Sequence, residues 1–393
     1  MGRTAAAVKT AFASGAIKEI LFPQYPDHDC IWDVCRAADD KVYFSLCSEG
    51  RAATALLMRY DPGTGKIDEL LDVGRLTGDG MKPGKIPQSK IHTTMCPTSD
   101  GLLYFTTHCT APPPGEEYLE NVGTLGSAEW GYTGSFVAVY NTHTHESRCV
   151  GLFAPNEGIR IMRMDQRWQV LYGITYPKHH LRVFDLKTGQ SRDLGRIGNL
   201  GSFGMFMDKK GRPYGTDDAG WMWRYDPQLD DIQSLNVRLP HLSWRESPYN
   251  FLWYAVEGPD GAIYGTTYYD GRLFRYDPEV GGDGLIEDLD RDDIAAQQDQ
   301  TIWSAPYIQA PVFDSEGRLW YGSSPIWEPV RLICFDRGRK IDCGLIETPG
   351  NVSAFLAESA SCHHGKTLVF GDITMQGRPR LLIVKPAEML RKR

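Results

Sequence analysis

His92, His108, Tyr176 and Tyr268 belong to residue types that move or hold protons, and arginines stand among and after them at Arg160, Arg196 and Arg245. Histidine titrates near neutrality and serves as general acid or base. Tyrosine does the same where nearby cations lower its pKa. The arginine fork pairs bidentately with carboxylates. Such a set suits proton abstraction beside a carboxylate, with arginine stabilising the enolate-like charge that develops. That chemistry is β-elimination on a uronic-acid sugar. Trp130, Trp244, Trp253 and Trp303 offer faces on which sugar rings stack; the plainer reading is that they fill the core.

These residues need elements that bring them together, and the chain carries a repeat that does so. An aromatic anchor inside a short apolar run recurs at Tyr43, Tyr104, Tyr172, Tyr214, Tyr264, Tyr321 and Phe370, a mean spacing of about 54 residues. A second signal follows most anchors: RYDPGTG (59–65), VFDLKTG (183–189), RYDPQ (224–228) and RYDPE (275–279), with VYNTHTH (139–145) and CFDRGRK (334–340) as weaker copies. Runs of about five apolar or alternating residues suit half-buried strands. Asp-Pro-x-Thr-Gly is turn chemistry, with Pro presetting φ and Gly taking the positive-φ position. Each unit is then about four short antiparallel strands. Stacking such units radially buries both faces of every sheet. The fold class is all-β, a seven-bladed β-propeller over about 28–385 within one domain of 1–393. Its last blade has candidate strands at 352–358, 367–373 and 380–385, and the N-terminal strand 17–22 is expected to supply the fourth and close the ring. An insertion at about 110–132 is too rich in Pro and Gly for a helix.

Strand alternation puts the anchor and the residue four places on along the same side, the latter at the strand's exit. Those positions are Cys47, His108, Tyr176, Asp218, Tyr268, Pro325 and Thr374. The first strand of each blade starts at that same face, which adds His92 with Lys90, Arg160 after Glu157, the segment leading to Arg196, and Arg245 after Trp244.

The segment KIHTTMCPTSDGLLYFTTH (90–108) resembles the two-histidine segment of the seven-bladed propeller polysaccharide lyases, among them the ulvan lyases and a rhamnose–glucuronate lyase acting on gum arabic, with a related rhamnosidase on the same scaffold. EGIRIMRMD (157–165), LYGITYPKHHLRVFDLKTGQSRDLGRIG (171–198) and RLFRYDP (272–278) resemble its following blades. The resemblance implies that His92 and His108 bind or neutralise substrate and assist proton transfer, and that Tyr176 is the acid/base. It implies a carboxylate-pairing arginine downstream, at Arg192 or Arg196, with Arg196 nearer the strand exit. Arg245 answers to a further carboxylate or subsite arginine. Apart from the resemblance, their place on the same face makes Arg160, His180 and Tyr268 expected substrate contacts.

Composition excludes several classes. Net charge is −8 with no basic block, which argues against a nucleic-acid surface. No run approaches 18 apolar residues, so no membrane helix is expected. The N-terminus lacks the apolar core of a secretory signal, which makes the cytoplasm the default expectation. Nine cysteines without paired spacing read as reduced thiols. The expected partner is an acidic polysaccharide or oligosaccharide, bound by a monomer. No cofactor is called for, and the ligands of a structural divalent cation are not readable. His143 and His145 fall on a hairpin tip, and His363 and His364 lie in a loop at the opposite end of the strands. Two further readings stand beside the lyase. One is a glycoside hydrolase, for which Asp217, Asp218 and Asp270 are the carboxylate candidates; the other is a non-catalytic propeller that binds glycan or protein.

Overall fold

The computed structural model describes residues 12–13, 16–116, 127, 131–199, 203–241, 249–291, 307–325 and 327–391. Seven antiparallel sheets form a ring, the seven-bladed β-propeller that the repeat implies. In blade one the strands are Val34–Arg36, Val42–Leu46, Leu56–Tyr60 and Ile67–Asp72. In blade two they are Cys96–Pro97, Leu102–Thr106, Gly134–Asn141 and Ser147–Pro155. Blade three comprises Gly158–Asp165, Val170–Tyr176, His180–Asp185 and Gln190–Arg196. Blades four to six repeat the pattern, and blade seven contains Asn351–His363, Thr367–Thr374 and Pro379–Val384.

The turns explain why these residues fold into hairpins. Asp208 accepts hydrogen bonds from the backbone N–H of Lys210 and Arg212, each at 2.9 Å, and from Arg212 Nε at 2.7 Å. Asp314 does the same for Glu316 and Arg318 and also accepts from Trp320 Nε1 at 2.8 Å. A carboxylate before the turn thus satisfies backbone donors that the strands leave unpaired. Gly211 and Gly317 take φ of 80° and 76° in these turns, where a side chain would be strained.

The ring closes as the N-terminal sequence suggests. Ile17–Leu21 pairs antiparallel with Pro379–Val384, Ile17 opposite Val384 and Leu21 opposite Arg380. A buried charge network ties this joint. Arg380, fully buried, donates to Glu19 at 2.8 Å, to Thr348 Oγ1 at 2.8 Å, to Ser353 Oγ at 2.9 Å and to Asp372. Glu19 belongs to the closing strand, so one guanidinium grips both ends of the chain. No helix among the described residues is long and apolar enough to cross a membrane.

Candidate active site

The inner ends of blades one, two, three, five, six and seven enclose a cavity of about 200 Å³. His92, His108, Tyr176, Arg160 and Tyr268 all line it. His108 leaves the second strand of blade two and makes a two-way backbone bridge to Lys90, N–H to O at 2.8 and 3.0 Å. That bridge holds the Lys90-Ile91-His92 segment against the strand exit. His92 stacks on Trp32, with centroids 5.0 Å apart and planes at 13°. His92 and His108 meet in a T-shaped contact with centroids 5.2 Å apart, and His108 in turn meets Tyr176 at 5.4 Å. The three rings therefore form a continuous edge-to-face series, an arrangement that aromatic quadrupoles favour.

Backbone geometry makes room for this series. Gly158 opens blade three directly beneath His108; a Cβ there would stand 2.0 Å from His108 Nδ1. That nitrogen is buried and has no hydrogen-bond partner among the described residues. Both histidines titrate well below the ordinary histidine value. For His92, burial dominates, followed by the charges of Arg160 and His108; for His108, burial is followed by Lys90 and Arg160. Both rings are neutral at neutral pH.

Two cations flank the series. Lys90 is buried, lies 4.5 Å above the Trp32 ring and pairs with Glu49 at 2.9 Å. Burial works against its ammonium, but Glu49 together with Cys30 and Cys47 more than offsets it and lifts the pKa above the usual lysine value. Arg160 crosses the channel to Glu358 of blade seven at 2.7 Å and lies 3.7 Å over the Phe203 ring. Glu358 also accepts from Thr93 Oγ1 at 2.8 Å and stands 3.3 Å from His92 Nδ1. This one carboxylate links blades seven, two and three. Behind it Asp33 accepts from the N–H of Thr94 and Met95 and from Ser359 Oγ, which fixes the bend that aims His92 inward.

Other expected contacts fall elsewhere. His180 hydrogen-bonds Asp193 at 2.8 Å, and Arg196 sits opposite it on the fourth strand, its Nε donating to the carbonyl of Gly198. Neither lines the cavity. Arg192 is committed to Asp230 on blade four. The reason is blade width: strands lie about 4.8 Å apart, so a fourth strand runs roughly 14 Å outside the first. Of the pair His179-His180, it is His179 that turns inward, buried with its ring edge-on to Phe203 at 5.6 Å. Burial holds it down to about 4. Arg245, Trp130, Trp244 and Trp303, and most of the 110–132 insertion, lie outside the described residues. Trp253 does face the cavity.

Asp217, Asp218 and Asp270 serve other ends. Asp217 accepts from the N–H of Ala219 and Trp221 in a turn, Asp218 from Asn199, and Asp270 pairs with His241 at 3.0 Å. The cavity's carboxylates are instead Glu49 and Glu358, which the repeat does not point to. Glu358 sits where the first strand of blade seven slips register between Leu356 and Ala360, so counting from an anchor misses it. Glu49 lies two places beyond the exit residue Cys47, in a turn. Lys90 was visible beside His92, but its inward direction depends on the bridge to His108.

No protein-family model matches the chain, and no curated protein matches it significantly in sequence. Solved structures do match in three dimensions. A catalytically inactive virginiamycin B lyase from Staphylococcus aureus shares 13% identity over 94% of this chain and 99% of its own, with a TM-score of 0.57. YCF48 bound to D1 peptide shares 11% over 96% and 98%, with a TM-score of 0.58. The Cps50 (Swd1) β-propeller domain of Myceliophteria thermophila shares 11% over 91% and 97%, with a TM-score of 0.57. Names so different on one scaffold carry no common activity. The resemblance to polysaccharide lyases rests on the sequence segments alone, and what the chain shares with these structures is the seven-bladed β-propeller.

Proposed function

We propose that the protein is a carbohydrate-active enzyme that cleaves uronate-containing glycan by β-elimination in the channel cavity. The observation that carries this reading is the series His92–His108–Tyr176 between the cations Lys90 and Arg160. A base must be neutral to take a proton, and burial keeps both imidazoles neutral. His108, between the other two rings, takes the proton from the carbon beside the uronate carboxylate. The electron pair left behind delocalises into the carboxyl group, and Lys90 and Arg160 supply the opposing charge. That pair then forms the carbon–carbon double bond as the glycosidic carbon–oxygen bond breaks. Tyr176 gives its hydroxyl proton to the departing oxygen and is restored by the proton held on His108. Glu358 positions Arg160 and His92 for this work.

A second reading has its own observation. Glu49 and Glu358 both line the cavity, and a hydrolase needs two carboxyl groups, about 5–9.5 Å apart. The two readings differ in product. Incubation with a panel of uronate polysaccharides and oligosaccharides, followed by ultraviolet absorbance, reports the unsaturated product of elimination. A rise that disappears in His108→Ala supports the lyase. Released reducing sugar without absorbance, lost in Glu49→Gln or Glu358→Gln, moves the assignment to hydrolysis.

A further inference from the structure

The channel cavity holds about 200 Å³, short of the 300–1,000 Å³ usual for a ligand site. It does not end there. A second cavity of about 400 Å³ shares Glu49 and Trp327 with it, and a third of about 630 Å³ shares Asp29, Gly50 and Gly377 with the second. The three run in series from the channel, over the seam between blades seven and one, to the closing strand at Leu21 and Phe22. We propose that this cleft binds a linear anionic oligosaccharide, one sugar in the channel cavity and the following sugars along the seam, with Trp327 as the stacking plate between them. The inference deepens the reading above and rests on it.

Trp327 carries two independent marks. It is 54% exposed, where a tryptophan gains little from packing, and its backbone sits at φ 62°. A bulky residue in the left-handed region is an outlier that persists only where its surroundings hold it, and such outliers cluster at ligand clamps. Its ring leans on Phe355 of the channel wall, centroids 5.7 Å apart. One face backs onto protein while the plate stays accessible at the junction, as sugar stacking requires.

The far section offers polar partners. Arg378 is exposed, lines the third cavity, and its guanidinium meets no carboxylate among the described residues. Arg51 lines the same section and donates to the carbonyl of Pro26. His28 Nδ1 is buried there without a partner, while its Nε2 is bonded to Thr54 O at 3.0 Å. The carboxylate of Asp29 on the same wall is occupied by the N–H groups of Glu49 and Gly50, each at 2.8 Å. On this wall the guanidiniums of Arg51 and Arg378 outnumber the one carboxylate, Asp29, which suits an acidic chain.

The test uses the His108→Ala protein, which is to bind without turnover, and rhamnose–glucuronate oligosaccharides of two, four and six sugars. Calorimetry should give affinity that rises with length, about tenfold or more from the disaccharide to the hexasaccharide. Trp327→Ala and, separately, Arg378→Ala should abolish that gain; both side chains are exposed, and unchanged melting temperatures confirm intact folds. Binding with no length dependence, or a gain that survives both substitutions, overturns the cleft and leaves the channel reading standing. No binding at any length overturns both.

Discussion

At the scale of single residues, function rests on groups kept in unusual states. His108→Ala and Tyr176→Phe should each lower turnover by at least about 10²-fold, the usual worth of a positioned acid or base, with circular dichroism and melting temperature unchanged. Gly158→Ala tests position rather than chemistry. Its methyl group would displace the His108 ring, so kcat should fall although every reacting group remains. Because burial and the flanking cations depress both histidines, the acid limb of the pH–rate profile should lie below the ordinary histidine value of about 6.5. An acid limb at or above 6.5 would count against a buried imidazole base.

At the scale of elements, a buried charge network holds the closing strand in place. Glu19 reaches Arg380, a fully buried guanidinium shared with Asp372, Thr348 and Ser353. Removing one partner from a buried pair strands the other and costs about 3–5 kcal/mol. Glu19→Ala should therefore lower the unfolding free energy by an amount of that order, read from a denaturant titration. The exposed pair Arg192–Asp230 serves as the control, since exposed pairs contribute about 0–1 kcal/mol. Equal effects from the two substitutions would show that the joint is not held by this network.

At the scale of the whole molecule, buried titrating groups set the pH range of stability. His92, His108 and His179 all bind their proton less readily folded than unfolded. As pH falls through about 6.5 the unfolded chain takes up protons that the folded one refuses, and stability drops. Asp33 acts the other way: burial raises it to about 6, so the folded state protonates first as pH falls further. Asp372 is raised likewise by burial. Melting temperature should thus decline from about pH 7 to 6 before the aspartates offset it. His179→Asn should flatten that slope, which a melting series across pH measures directly.

How much of this was legible in the sequence follows from which interactions are local. Anchors, Asp-Gly turns and two-residue alternation act within one hairpin, so blade number, ring closure and the exit positions of His108, Tyr176 and Tyr268 could be read from spacing alone. His180 and Arg196 share that face in sequence terms but stand on outer strands, and only the width of a folded blade separates them from the channel. Glu358, the inward aim of Lys90 and the Trp327 plate were out of reach for a related reason. A register slip, a backbone bridge and a left-handed residue aim them, and Glu358 meets Thr93 across 265 residues of chain. Pattern determined the scaffold because strand pairing obeys periodic rules. The site's charge pairing was decided only when seven blades met around one axis.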